Sequence, residues 1–446
     1  MNKLLLLIII TLICILKSVY SEINSFDIIQ EKELSRYRDS GTIDCNTEKC
    51  CLMSDNIECS LSDMIVDEST YVFPSSSSDT TCIFNTPYAF QVIPGASDKL
   101  IVYYQGGGAC WDAASTLIDP SCTTETTPQP LIGIFDRTNK NNLFRDYTIV
   151  MVMYCSGDIH GGDVIQSYSK NGKPVVQKGY QNAKSVLDWV IKQQNVGSLD
   201  KVLSSLVVMG CSAGSIGTQL WADTVLSSVK WNQAAIIPDS YAGVFPDGSE
   251  GPLIYNFGFC KTPLISSDLI EKCKSGKLQF TDIMQENISK MKDIPYAYIQ
   301  SKIDEIQMSF YVSVGITTNT SASITPSAFY AMTNEIFGSY NNLHQNFVVF
   351  LVDGDHHCFT DQDIYYTADA LGYKNDGAGD PGMMLYQWLN QMPLKSKSSI
   401  STSCSGDILK ETILETSTKA FKNVESVEGQ NTYCSASVFP KTFIEP

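Results

Sequence analysis

Ser212 lies in the pentapeptide Gly210-Cys211-Ser212-Ala213-Gly214, between an apolar run and a helical segment. No other feature constrains the fold as much. The run Ser205-Leu206-Val207-Val208-Met209 reads as a buried parallel strand, and residues 215–229 read as a helix. Glycine two before and two after the serine lets strand and helix approach closely. The serine then sits on a tight, strained turn with its hydroxyl exposed at the edge of a sheet. That placement suits nucleophilic attack.

A second apolar run, Leu100-Ile101-Val102-Tyr103-Tyr104, leads directly into Gln105-Gly106-Gly107-Gly108-Ala109. A serine that attacks an ester creates an oxyanion, which needs backbone N–H donors held in place beforehand. Glycines after an early strand can aim such donors, as in the HGGG-type loops of esterases. Gly108, Ala109 and Ala213, the residue after the serine, are the candidate donors. A phosphate loop is excluded: no G-x-x-x-x-G-K-[ST] pattern occurs, and Trp111 stands where G-x-G-x-x-G needs its third glycine.

The chain has four histidines, His160, His344, His356 and His357. The last two follow the apolar run at residues 347–352. In the hydrolase order of serine, acid, histidine, a base on the loop after the last strand fits. Either His356 or His357 serves, since adjacent side chains diverge. His160 precedes the serine and is expected to line the pocket, as is Trp111. Two carboxylates stand at strand ends, Asp239 and Asp304, and spacing leaves the choice of acid between them open.

Six blocks carry a family resemblance: YYQGGGACWD (103–112), YCSGDIHGGD (154–163), GCSAGSIGT (210–218), PDSYAGVF (238–245), SKIDEIQ (301–307) and DGDHHCF (353–359). In this order they resemble the pectin acetylesterase and Notum family of secreted carboxylesterases. The resemblance implies Ser212 as nucleophile, Asp304 in the D-x-x-Q block as acid, and His357, directly before Cys358, as base. Asp239 and His356 stand as the alternatives. The family's usual GGGWC block reads GGGACW here. The substrates implied are an acetylated polysaccharide or an acylated secreted protein, with no cofactor. Trp111 beside the glycine loop suggests a short acyl pocket, hence acetyl esters.

Composition fits an exported enzyme. Residues 1–21 hold Lys3, an apolar stretch at 4–16 and Val19-Tyr20-Ser21, the pattern of a cleaved signal peptide. Secretion is therefore expected, with no membrane span after its removal. Asn287-Ile288-Ser289 and Asn319-Thr320-Ser321 are glycosylation sequons in that setting. Of 15 cysteines, Cys14 falls in the leader, and the even remainder suggests a disulfide framework. Cys45, Cys50, Cys51 and Cys59 lack the C-x-x-C pairs and histidines of a zinc site. With 31 basic against 48 acidic residues the net charge is −17, which argues against nucleic-acid binding and disfavours polyanionic pectin. Asp353, Asp355, Asp361 and Asp363 cluster near the histidines without EF-hand order and read as a solvated loop, with no metal.

The expected architecture is α/β-hydrolase-like. Apolar runs at 100–104, 148–153, 205–209, 234–238, 297–301 and 347–352 alternate with helical patterns such as 180–195. This implies a mainly parallel sheet with helices on both faces. Residues 22–81 form a cysteine- and serine-rich N-terminal extension over the core, tied by disulfides. The catalytic domain spans 82–446, with 245–295 as a cap or insertion. Three functions compete: a polysaccharide acetylesterase, a Notum-like deacylase of a secreted protein, and a non-catalytic binding protein on a hydrolase scaffold. A serine, two candidate acids and a late histidine argue against the third.

Overall fold

The structure, a computed structural model, describes residues 43–320, 323–344, 346–352, 354–368 and 384–391. The leader at 1–21, Ser321 of the second sequon, Asp353 and the C-terminal stretch with Cys404 and Cys434 lie outside them.

The strands are β1 (Cys50–Leu52), β2 (Thr70–Phe73), β3 (Phe90–Ile93), β4 (Ala96–Tyr104), β5 (Tyr147–Val152), β6 (Val164–Lys170), β7 (Lys173–Gln177), β8 (Ser205–Cys211), β9 (Ala234–Asp239), β10 (Tyr296–Ser301) and β11 (Phe347–Val352). One sheet runs in the order β1-β2-β3-β5-β4-β8-β9-β10-β11, while β6 and β7 form a separate antiparallel pair. From β5 to β11 every neighbouring pair is parallel. The cause is visible in the strand sequences. β5, β8, β9, β10 and β11 are buried at every residue, so both faces of the sheet are covered. All six expected runs become these strands and β4, which starts at Ala96 rather than Leu100.

The main helices are α1 (Gly179–Val196), α2 (Ala213–Ser228), α3 (Phe280–Lys290), α4 (Glu305–Thr318) and α5 (Pro326–Leu343). α1 ends at Gly197, whose φ of 90° supplies the left-handed cap. α4 begins at Asp304, whose carboxylate accepts from the Gln307 N–H at 2.9 Å.

The N-terminal region differs from expectation. β1 and β2 belong to the sheet, and β2 pairs antiparallel with β3. The sheet thus begins well before Cys82. The disulfides Cys45–Cys50 and Cys51–Cys59 close loops within this region and do not tie it to the core. Its attachment is the strand pairing, helped by the Trp189 Nε1–H bond to Cys59 O at 3.1 Å and the Leu61 N–H bond to Gln193 Oε1 at 2.9 Å. Strands of three and four residues are too short to show a period, which is why the sequence does not reveal them. Cys82–Cys155, Cys110–Cys122, Cys211–Cys358 and Cys260–Cys273 complete the six disulfides among the described residues.

The sheet order sets the place of the site. β4 has its chain successor β5 on one side and β8 on the other. Such a reversal opens a crevice at the carboxyl ends of the strands. The glycine loop leaves β4 there, and Ser212 leaves β8 beside it.

Candidate active site

Ser212 has φ 58° and ψ −123°, a left-handed conformation that a side chain rarely adopts. Its N–H is anchored on the Asp239 carbonyl at 3.0 Å. The two flanking glycines are obligatory for close approach. A Cβ on Gly210 would lie 2.4 Å from the Tyr104 carbonyl oxygen, and one on Gly214 would lie 1.9 Å from the same atom. A Cβ on Gly106 would fall 3.1 Å from Ser212 Cβ, so the glycine loop passes directly against the serine.

The loop donors separate on inspection. Ala109 gives its N–H to the Ser121 carbonyl at 3.1 Å, which removes it from the oxyanion set. Gly108 is bridged to Cys122 only through its neighbours, and its own N–H has no acceptor among the described residues. Ala213 is the first residue of α2, where a backbone N–H has no partner within the helix. Of the three candidate donors, Gly108 and Ala213 are thus the uncommitted ones.

His357 and Asp304 are brought together. Nδ1 of His357 lies 3.0 and 2.8 Å from the two carboxylate oxygens of Asp304. A carboxylate only accepts, so Nδ1 carries the proton and Nε2 keeps its lone pair. That Nε2 is buried and has no partner among the described residues. Asp304 is fully buried and itself held by Gln307, whose N–H and Nε2–H each donate to it at 2.9 Å. Gln307 is in turn fixed by Gln300 Oε1 at 3.0 Å and by the Ala242 N–H at 2.9 Å. This is the physical content of the D-x-x-Q spacing: the first turn of α4 folds the glutamine back onto the carboxylate. Burial pulls the His357 pKa down, but the hydrogen bond to Asp304 and the charges of Asp304, Asp239 and Asp361 outweigh it and leave it raised.

The alternatives fall elsewhere. Asp239 is fully buried and does not reach the imidazole; its Oδ2 accepts from the Phe359 and Thr360 N–H groups and from Thr360 Oγ1. His356 packs its ring against Phe359 in a T-shaped contact, at 5.2 Å between centroids, and does not line the cavity over Ser212. His160 is a correction to the expected pocket lining. It is buried beneath the glycine loop, with Nε2 donating to Gln105 O at 2.8 Å and its ring against Tyr154. Burial depresses its pKa to about 4, so it stays neutral there. Its neighbour Ile159 lines the cavity instead. The acidic cluster is not simply a solvated loop: burial and Asp239 push Asp361 up to about 7, while Asp355 and Asp363 are exposed.

Only Cys211, His357 and Cys358 gather ligand-type atoms among the described residues, and their two sulfurs form a disulfide. That bond joins the residue before Ser212 to the residue after His357. It also leaves Cys211 without a free thiol that could act as a nucleophile.

The cavity above Ser212 is a slot between the glycine loop, α4 and the segment between β9 and β10. Trp111, Tyr241, Phe245, Phe280, Phe310 and Val314 form much of its wall. Trp111 is held by its Nε1–H bond to Thr317 Oγ1 at 2.8 Å and meets Phe310 edge-on. The aromatic residues of 241–280 carry no periodic signal in the sequence. Tyr241 and Phe245 lie in a loop, Phe257 caps a short helix and Phe280 begins α3, and only folding brings them opposite α4.

The pectinacetylesterase family model matches residues 62–366, which span the sheet from β2 onward and every residue of this site. The chain belongs to the pectinacetylesterase family. Among solved structures, this family member resembles the Wnt deacylase Notum from Drosophila, with TM-score 0.50 at 17% identity, over 73% of this chain and 95% of that one. A second crystal form of that protein gives TM-score 0.48 at 17% identity, over 71% and 89%. At such identity the likeness is one of fold, a mostly parallel α/β-hydrolase sheet. No curated protein matches the chain. Among its described residues no helix is long and apolar enough to cross a membrane.

The two sequons fare differently in this pectinacetylesterase fold. Asn287 is buried in α3, and its Nδ2 donates to Gln219 O at 2.9 Å, so a glycan has no room there. Asn319 is exposed at the end of α4.

Proposed function

We propose that this chain is a secreted carboxylic-ester hydrolase that works through an acyl-enzyme on Ser212. The observation that carries this reading is that Ser212 and His357, whose Nε2 is unpartnered among the described residues, line the same apolar slot. His357 takes the Ser212 proton as Oγ attacks the ester carbonyl. Asp304 holds the ring in its Nδ1–H tautomer and stabilises the imidazolium. The N–H groups of Gly108 and Ala213 receive the oxyanion. His357 then protonates the departing alcohol, and water repeats the sequence on the acyl-enzyme.

The slot also bears on substrate. An acetyl group presents one methyl, which needs little wall. Here seven aromatic side chains and several aliphatic ones surround the nucleophile, and apart from the Trp111 indole, which is turned to Thr317, the polar side chains among them are Ser212, Tyr241, Gln307, Tyr311 and His357. A sugar ring would leave its hydroxyls without partners in such a space. We assign the slot to the acyl part of the ester, with a chain longer than acetyl, and leave the alcohol part outside. Trp111 then forms one wall of the slot and does not shorten it. The competing reading, acetate release from a weakly charged acetylated glycan, draws on the family's description.

A p-nitrophenyl ester series decides between them. Each methylene buried contributes about 0.8 kcal/mol, so kcat/KM should rise roughly fourfold per carbon until the slot is full. A maximum at acetyl, with acetate released from acetylated polysaccharides, would replace this reading by the glycan one.

The pH profile follows from His357. Only the neutral ring accepts the serine proton, and its pKa lies above the ordinary value of about 6.5. The acid limb of kcat/KM should therefore have its midpoint above pH 6.5. Stability runs the other way. A raised folded pKa contributes stability fully below about 6.5 and loses it as pH climbs through the folded value. An acid-limb midpoint well below 6.5 would contradict His357 as base.

A further inference from the structure

Three consecutive N–H groups follow His357, and all three are caught by two residues at the end of β9. The Cys358 N–H donates to Ser240 Oγ at 3.0 Å. The Phe359 and Thr360 N–H groups donate to Asp239 Oδ2 at 2.9 and 2.7 Å. Thr360 Oγ1 donates to the same oxygen at 2.8 Å, and Ser240 Oγ closes the set by donating to Asp239 Oδ1 at 2.8 Å. The Asp239 backbone meanwhile accepts from the Ser212 N–H at 3.0 Å. One residue therefore holds the nucleophile turn by its carbonyl and the histidine loop by its carboxylate. Asp239 and Ser240 are both fully buried, and Ser240 is itself at φ 59°, a strained angle that turns its hydroxyl toward the loop.

We propose that Asp239 is a positioning residue for His357: with Ser240 it clamps the histidine loop and sets the imidazole over Ser212. This rests on the reading of His357 as base. The Cys211–Cys358 disulfide ties the same two segments, but a single tether leaves the loop free to rotate about it. Capture of consecutive N–H groups by a fixed carboxylate removes that rotation. Charge-assisted bonds are the stronger kind, and a buried carboxylate with four donors is well satisfied. A loop shift of about 1 Å at a general base is enough to lower turnover about a hundredfold.

The test is steady-state kinetics on the whole secreted chain carrying Asp239→Asn, Asp239→Ala, Ser240→Ala and, in parallel, His357→Ala, each checked for folding by circular dichroism and thermal melting. Asp239→Asn keeps an oxygen toward Phe359 and Thr360, so it should retain kcat within about tenfold. Asp239→Ala should lose about a hundredfold in kcat with KM changed little, because the slot is untouched. Ser240→Ala, which frees only the Cys358 N–H, should fall between them and covers the case in which Asp239→Ala does not fold. Folded Asp239→Ala or Ser240→Ala enzymes with wild-type kcat would overturn the clamp. So would an Asp239→Asn enzyme as inactive as Asp304→Asn, since Asp239 would then act as the acid itself. A fully active His357→Ala enzyme would instead remove the base assignment on which the clamp depends.

Discussion

Ser212→Ala should lower kcat by about a millionfold while leaving KM and the fold nearly unchanged. The size follows from what the side chain does and what can replace it. Ser212 is the only aliphatic hydroxyl lining the slot with His357 among the described residues. Cys211 beside it is locked in a disulfide with Cys358. With no nucleophile the remaining donors and the histidine can act only on water, which leaves a small residual rate. Alanine keeps the same Cβ at φ 58°, so the turn retains its strain and its packing. Ser212→Gly offers a control, because glycine relieves a positive φ: it should be equally inactive yet more stable by about 1 kcal/mol. A fluorophosphonate should label Ser212 in the parent and nothing in either variant. Retained esterase activity in Ser212→Ala, or labelling elsewhere in the slot, would end the serine reading.

Asp304→Asn should lower kcat by about ten-thousandfold. Asparagine is a good N-cap, so α4 should keep its start and the protein its fold. The imidazole loses its partner. Both carboxylate oxygens lie within 3.0 Å of His357 Nδ1, and an amide presents only one acceptor there. The amide can also donate, which favours the ring tautomer with its proton on Nε2, where the serine proton must go. The raised His357 pKa should fall at the same time, because its largest stabilising partner has lost its charge. The measurement is kcat across pH for the purified variant, with thermal melting to confirm folding. A variant within tenfold of wild type at every pH would show that Asp304 is not the acid.

Much of this was legible in the chain. The strands at the centre of the sheet are unbroken apolar runs because both faces are covered, and such runs stand out without any partner being known. The turn at Ser212 was legible for a related reason. Gly210 and Gly214 are required by contacts with Tyr104 and with the turn itself, so a local pattern reports a local steric demand. The short strands β1 and β2 carried no such signal. Their place in the sheet comes from pairing with one another and with β3, not from their own sequence.

The sequence alone determined which residue types stand at strand ends: a serine between glycines, a glycine loop, two aspartates and two adjacent histidines. Tertiary structure decided among them. Asp239 ends β9 and Asp304 follows β10 by three residues, but β9 lies next to β8 and β10 lies one strand farther out. That step puts the Asp239 carboxylate behind the histidine loop and the Asp304 carboxylate against the ring. His357 rather than His356 faces the slot because Cys358, at φ 68°, is pinned to Cys211, Ser240 and the clamp behind it. Ala109 lost its place among the donors to a carbonyl from Ser121, twelve residues away. The slot itself is lined by residues from Gly108 to His357. Spacing along a chain records what each short stretch can do, whereas these choices depend on distances between stretches, which exist only once the sheet has set its order.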